Sequence, residues 1–266
     1  FYSYLLLKSL IMVLLINIIA VFCCICVLAG PALLNIIFYP FSKRICVKIS
    51  DFIVKRSAPL VFSVLKVYKK FKLSYYNDNF DKLPEQFFVI SNHQSLFDIP
   101  IFMTFFKTYN VRFVAKDSLS RHIPLVSEML RSHEHCMIPR KGGAGKAMKT
   151  MEDFAKRVMD KKQIPILFPE GTRSKDGSLG TFYSAGFRKI SEVTNLPVVV
   201  CCLDNGYKIN DMLHIFENIS NIDYKVKILK VYSAPSSKEE QLKILDEAKE
   251  LMDKQLSVWR EEDKNR

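Results

Sequence analysis

Between Ser9 and Tyr39 the chain has no charged residue. An apolar run of that length exceeds the roughly 20 residues needed to cross a hydrocarbon core, and it is far longer than the apolar core of a cleaved leader, so the segment is expected to meet membrane. Gly30-Pro31 interrupts it. Two arrangements stay open: one spanning helix followed by an interfacial piece, or a two-helix re-entrant hairpin. The chain begins at Phe1 rather than Met, which leaves room for a preceding segment.

Other absences narrow the field. The seven cysteines are an odd number, which argues against a disulfide framework. Cys23, Cys24 and Cys26 lie in the apolar run and Cys201-Cys202 in an expected buried strand, so free thiols in a reducing, cytoplasmic setting are the plain reading. There is no internal repeat, low-complexity tract or Gly/Ser/Pro-rich linker beyond the anchor, so one further domain is expected. No G-x-S-x-G occurs, which removes the nucleophile elbow of the α/β-hydrolases. "GGAGKA" at 142–147 fails as a P-loop because Arg140 takes the first-glycine position and Ala147 the Ser/Thr position. His133, His135 and Cys136 have no second ligand pair nearby in sequence, so no metal is expected.

What is present is basic. The formal charge is +12, which draws the chain toward an anionic surface, substrate or partner. Lys43, Arg44, Lys48, Lys55, Arg56, Lys66, Lys69, Lys70 and Lys72 follow the anchor, and the positive-inside rule places this flank in the cytoplasm. Leu60, Val61, Val64, Val67, Tyr68 and Phe71 share one helical face with Lys66, Lys69 and Lys70 opposite. That face is either packed on the core or laid on anionic lipid. Nucleic acid is disfavoured because aromatics are not interleaved with the basic residues.

Short apolar or β-branched runs at 87–91, 111–115, 136–138, 164–168, 197–203 and 224–232 alternate with helical periodicity. The expected fold is α/β, with a central mostly parallel or mixed sheet flanked by helices and an N-terminal membrane-anchoring segment. The expected division is residues 1–73 for the anchor and amphipathic helix and 74–266 for the α/β domain with its C-terminal helix. The tail from Ser237 reads as a charged surface helix with no chemistry.

The stretch "SNHQSLFD" at 91–98 sets polar side chains between two apolar runs. His93 and Asp98 are five residues apart, roughly 140° on a continuous helix, so they meet only if His93 sits in a turn that folds back over a helix starting near Ser95. Asp98 would then fix the imidazole tautomer and leave the other nitrogen as a base, while the alternative is that Ser95-x-x-Asp98 only caps a helix. A second polar cluster, Phe168-Pro169-Glu170-Gly171-Thr172-Arg173-Ser174, also follows an expected strand, where α/β sheets collect ligands. Gly171 admits a ligand to the backbone, Arg173 offers a fork for phosphate, and Glu170 can accept from a hydroxyl.

These two blocks resemble the N-H-x-x-x-x-D and F-P-E-G-T-R-S motifs of the glycerolipid acyltransferases, over roughly residues 85–205. Asn92, His93, Gln94, Ser95 and Asp98 match the first, and 168–174 match the second without substitution. The resemblance implies His93 as general base and Asp98 as its orienting partner. It implies that Glu170, Gly171, Thr172 and Arg173 hold the acceptor's phosphate, with Arg140 and Lys116 in support. Two departures stand out: Val200 replaces the second proline of the family's fourth block, and Tyr183-Ser184-Ala185-Gly186 has serine where many members have lysine. The activity implied is transfer of a fatty acyl chain from a thioester to lysophosphatidic acid, giving phosphatidic acid for phospholipid biosynthesis. Glycerol 3-phosphate or another lysophospholipid is the alternative acceptor, and a non-catalytic phosphate- or lipid-binding module the alternative of another class. Acyl-CoA or acyl carrier protein would be the co-substrate, with no other cofactor. Membrane lipid is the expected partner, and the cell membrane, catalytic side to the cytoplasm, the expected location.

Overall fold

The structure, a computed structural model, describes residues 2–76, 78–117, 127–139, 141–210 and 218–265. It opens with α1 (Tyr2–Phe38), one helix that runs through Gly30-Pro31 without a break. The expected interruption is therefore absent. A proline removes one backbone donor, and the rest of the helical ladder can continue past it. Leu7–Phe38 is long and apolar enough to cross a membrane and is mostly exposed. At 1.5 Å per residue the 37-residue helix is about 55 Å long, well beyond the ~30 Å of a hydrocarbon core. The excess is used for packing: Ala20, Cys24, Ala32 and Asn35 form a buried stripe of small residues along its second half.

Against that stripe lie α2 (Lys43–Phe52), a π-turn at Ile53–Ser57 and α3 (Ala58–Lys69). Ser42 caps α2 by accepting from Ile45 N–H. Asn35 Nδ2 donates to Ser50 Oγ at 3.0 Å, and Ser50 pairs with Ser132 at 3.1 Å, which links α1, α2 and α5 through polar groups set in the apolar layer. The apolar face expected on α3 is divided. Phe71, just past its end, is buried and Val61 and Val64 are half-buried, whereas Leu60, Val67 and Tyr68 are exposed.

The rest is one seven-stranded sheet. Its strands are β1 (Lys72–Tyr76), β2 (Phe88–Ser91), β3 (Val111–Lys116), β4 (Cys136–Ile138), β5 (Ile164–Leu167), β6 (Val198–Asp204) and β7 (Asp223–Tyr232), in the order β1-β7-β6-β2-β5-β3-β4. From β6 to β4 every neighbouring pair is parallel, while β7 runs antiparallel to β6. β2, β5 and β6 are buried throughout, which is why they read in sequence as unbroken apolar runs rather than alternating ones. Pleating splits each between two cores: Val89, Val199 and Leu203 face α3 and α4 (Asp98–Phe105), and Phe88, Ile90, Val198 and Val200 face α6 (Gly143–Asp160), α7 (Ser184–Thr194) and α8 (Lys238–Lys264). The remaining helix, α5 (Ser127–Ser132), packs on α2.

Two features lie outside what the sequence pattern marks. β1 was not legible in the sequence, and it joins the sheet by pairing with β7. α8 is no mere surface helix, because Ile244, Leu245, Ala248, Met252, Leu256 and Trp259 are buried in the second core. All seven cysteines are free.

Candidate active site

β2, β5, β3 and β6 are mutually aligned, so their carboxyl ends form one edge. Val89 and Phe113 both pair with Ile166. Lys116 ends β3, two strands from β2, whose end leads into His93, so both lie toward this edge. The 168–174 block leaves β5 between them.

Past Ser91 the chain turns before α4 begins at Asp98, three residues later than expected, and this turn returns His93 to the helix start. Asp98 is fully buried, and its Oδ2 accepts from His93 Nδ1 at 2.6 Å, Gln94 N–H at 2.7 Å and Ser95 N–H at 3.1 Å. Its Oδ1 accepts from the Tyr224 hydroxyl. Asp98 therefore accepts from backbone donors and from the imidazole at once. A carboxylate at Nδ1 favours the tautomer protonated there, with the lone pair on Nε2. The imidazole lies flat on Phe168, with ring centroids 4.1 Å apart and planes 11° from parallel, which blocks rotation out of this pose.

Neighbours hold the frame. Asn92 donates to Leu203 C=O and accepts from Leu203 N–H, each at 2.8 Å, pinning the end of β2 to β6. Gln94 Oε1 accepts from Gly206 N–H at 2.9 Å, and its Nε2 donates to Asp204 at 3.3 Å. Tyr224 is the residue that sequence reasoning missed. It opens the 224–232 run, and nothing local marks its hydroxyl as a partner for a carboxylate 126 positions away. Complete burial, reinforced by the charge of Asp98, raises its pKa well above that of an ordinary phenol, so it stays a donor across the physiological range.

Glu170 is buried rather than open to a ligand. Oε1 accepts from His93 N–H at 2.8 Å and Oε2 from Gly180 N–H at 2.7 Å. Burial raises its pKa, opposed by those two backbone donors. Ser174 N–H in turn donates to His93 C=O at 2.8 Å, so both backbone polar groups of His93 are bonded to the second motif.

Gly171, Thr172 and Arg173 are exposed on the loop beyond. Gly171 has φ +64° and open space where a Cβ would point, which a side chain would forfeit on both counts. Among the described residues Arg173 has one long contact, Nη1 to Asn210 C=O at 3.5 Å. Lys116 is exposed at the end of β3, and Arg140 lies outside the described residues. The structure thus brings His93, Asp98 and Glu170 into one bonded unit, with Arg173 three residues beyond it, and places Lys116 across the same edge.

An oriented imidazole at the carboxyl edge of an α/β sheet, beside an exposed glycine-arginine loop, is an arrangement that can take a proton from a hydroxyl next to an anion-binding group. Residues 73–204 match the family model described as Acyltransferase. Over those residues, just under half of its length, the chain is similar to that acyltransferase family. It is 34% identical over 110 residues to a 1-acyl-sn-glycerol-3-phosphate acyltransferase of Cocos nucifera (41% of this chain, 34% of that protein). It is 30% identical over 121 residues to one of Helicobacter pylori (46% of this chain, 49% of that protein). The chain thus spans a third to a half of the length of these curated relatives. The crystal structure of the 1-acyl-sn-glycerophosphate (LPA) acyltransferase PlsC from Thermotoga maritima has the same fold, with a TM-score of 0.62 at 21% identity over 92% of this chain and 96% of that one.

Proposed function

We propose that this chain is a membrane-bound acyltransferase that moves a fatty acyl group from a thioester to the free hydroxyl of lysophosphatidic acid, yielding phosphatidic acid. The observation that carries the reading is the His93–Asp98 pair locked, through Glu170 and Ser174, to the loop that presents Arg173. His93 Nε2 takes the proton as the acceptor oxygen attacks the thioester carbonyl, and Asp98 stabilises the imidazolium. The protonated ring then donates to the departing thiolate. General base catalysis of this kind supplies on the order of 10²–10⁴-fold, and holding the reactants in place supplies much of the remainder. Gly171, Thr172 and Arg173 receive the phosphate, and Lys116, across the edge, offers a second cation. Glu170 acts on His93 rather than on the lipid.

The co-substrate is acyl-CoA or acyl carrier protein, both anionic and both suited to a chain of charge +12. α1 inserts in the cell membrane, and the basic flank holds the domain on the cytoplasmic face. The test supplies labelled acyl-CoA and acyl carrier protein to the detergent-solubilised protein with lysophosphatidic acid, glycerol 3-phosphate and lysophosphatidylcholine. Labelled phosphatidic acid from the wild type and none from His93→Ala is expected. Equal turnover by His93→Ala refutes the mechanism, and transfer only to another acceptor moves the substrate assignment.

A further inference from the structure

Two loops flank His93, and both are anchored on the last turns of α8. The loop after the second motif reaches α8 through Gly177, whose carbonyl accepts from Arg260 Nη2 at 2.5 Å. The turn after β6 reaches it through Asp204, with Oδ1 3.8 Å from the same Nη2. The guanidinium also lies over the ring of Tyr207, 5.9 Å from its centroid. Gly177 has φ +84°, and a Cβ there would meet the Tyr207 ring at 2.7 Å and Arg260 Nη2 at 2.8 Å, so the close approach of the three requires glycine. One helical turn on, Asp263 accepts from the fully buried Lys225 at 2.6 Å and from Asn205 Nδ2 at 3.3 Å. The end of α8 therefore grips the 204–207 turn at Asp204, Asn205 and Tyr207 and the 171–180 loop at Gly177.

From each loop a short path of hydrogen bonds reaches His93. Asp204 Oδ1 accepts from Gln94 Nε2, and Gly206 N–H donates to Gln94 Oε1, beside the imidazole in the chain. Gly180, three residues past Gly177, donates to Glu170, which accepts from His93 N–H. The two loops also meet directly at Asn210, whose Nδ2 donates to Ser174 C=O at 3.2 Å and whose carbonyl takes Arg173.

We infer that Arg260 is a positioning residue for acyl transfer: by tying Gly177, Asp204 and Tyr207 together, it fixes the loop carrying Glu170 and Arg173 relative to the turn behind Gln94, and so sets where the phosphate site stands relative to His93. The inference rests on the function proposed above. A planar fork can donate to a carbonyl, face a carboxylate and stack on a ring together; a lysine ammonium cannot do all three. Arg260 is partly exposed and outside the second core, so its removal loosens the loops without emptying the fold.

The experiment compares Arg260→Ala, Arg260→Lys and Gly177→Ala with the wild type. Arg260→Ala is expected to lower kcat by about 10- to 100-fold, the size of effect a displacement near 1 Å produces. The thermal midpoint should move by no more than a few degrees. Arg260→Lys should fall between, Gly177→Ala should match Arg260→Ala, and millimolar guanidinium should restore turnover to Arg260→Ala. Tryptic cleavage after Arg173 and Lys175 should accelerate in Arg260→Ala, a readout independent of turnover. Wild-type kcat in Arg260→Ala, or unchanged cleavage at those sites, overturns the inference. If Arg260→Ala fails to fold, Arg260→Lys and Gly177→Ala decide, and full activity in both also overturns it. A wild type without acyl transfer defeats the proposed function instead, while the cleavage assay still reports on the strut.

Discussion

Replacing Asp98 with Asn tests the centre of the mechanism while changing almost no volume. Asp98 accepts four hydrogen bonds, three on Oδ2 and one on Oδ1. An amide oxygen placed toward His93 retains the three on that side, and the amide nitrogen donates to the Tyr224 oxygen, so the turn can persist. The charge is lost. A carboxylate and an imidazolium about 4 Å apart between charge centres attract by about 4 kcal/mol at an effective dielectric of 20. The amide dipole recovers part of that, so about 3–4 kcal/mol less transition-state stabilisation is expected, or about 10²–10³-fold in kcat. Folding loses about 1.5–3 kcal/mol, typical of hydrogen bonds to a charged group. Initial rates of labelled acyl transfer, taken well below the thermal midpoint, measure the effect. In a His93→Ala background the substitution should have no further effect, because the charge acts through the imidazole. An Asp98→Asn enzyme within threefold of wild type, or equal losses with and without His93, refutes the reasoning.

Three other outcomes follow from the same geometry. Arg173→Ala should raise KM for lysophosphatidic acid about 10- to 100-fold with kcat and thermal midpoint nearly unchanged, because the exposed guanidinium makes one long internal contact. Steady-state kinetics over acceptor concentration checks this. Glu170→Gln should lower both kcat and stability, the latter by about 1–3 kcal/mol, because one of two backbone N–H donors then faces an amide NH₂; denaturant unfolding separates the two effects. Stability should also fall as pH drops from 7 to 5. Burial lowers the pKa of His133 and lowers that of His135 further, so the unfolded chain binds more protons below about pH 6.5, and their contribution, full above that pH, fades on acidification. Glu170 and Asp204, raised by burial, work in the opposite sense, losing stability as pH rises from about 4. His135 Nδ1 accepts from Phe113 N–H, so His135→Gln, which keeps an acceptor, should flatten the slope in thermal melts between pH 7 and 6.

What the sequence determined by itself lies within short range. The uncharged run from Ser9 specifies an apolar helix, and unbroken apolar runs specify strands covered on both faces, because burial on two sides removes the usual alternation. His93 and Asp98 were legible as a pair through the resemblance to the N-H-x-x-x-x-D motif, because their five-residue interval by itself left a plain helix cap open. Groups whose partners lie far along the chain were decided by tertiary structure alone. Glu170 looks like an open acceptor until the neighbouring strand ends bring His93 N–H against it across 77 positions. The Tyr224 hydroxyl gains its role only because β7 runs antiparallel beside β6 and begins at the catalytic edge. β1, a short strand with no fully buried residue, exists because β7 offers it an edge to pair with. The periodicity of α8 reported an amphipathic helix, yet where Arg260 and Asp263 point depends on how that helix is docked on the sheet. Local pattern encodes which face of an element avoids water. The partners of its polar groups are set by packing between elements distant in sequence.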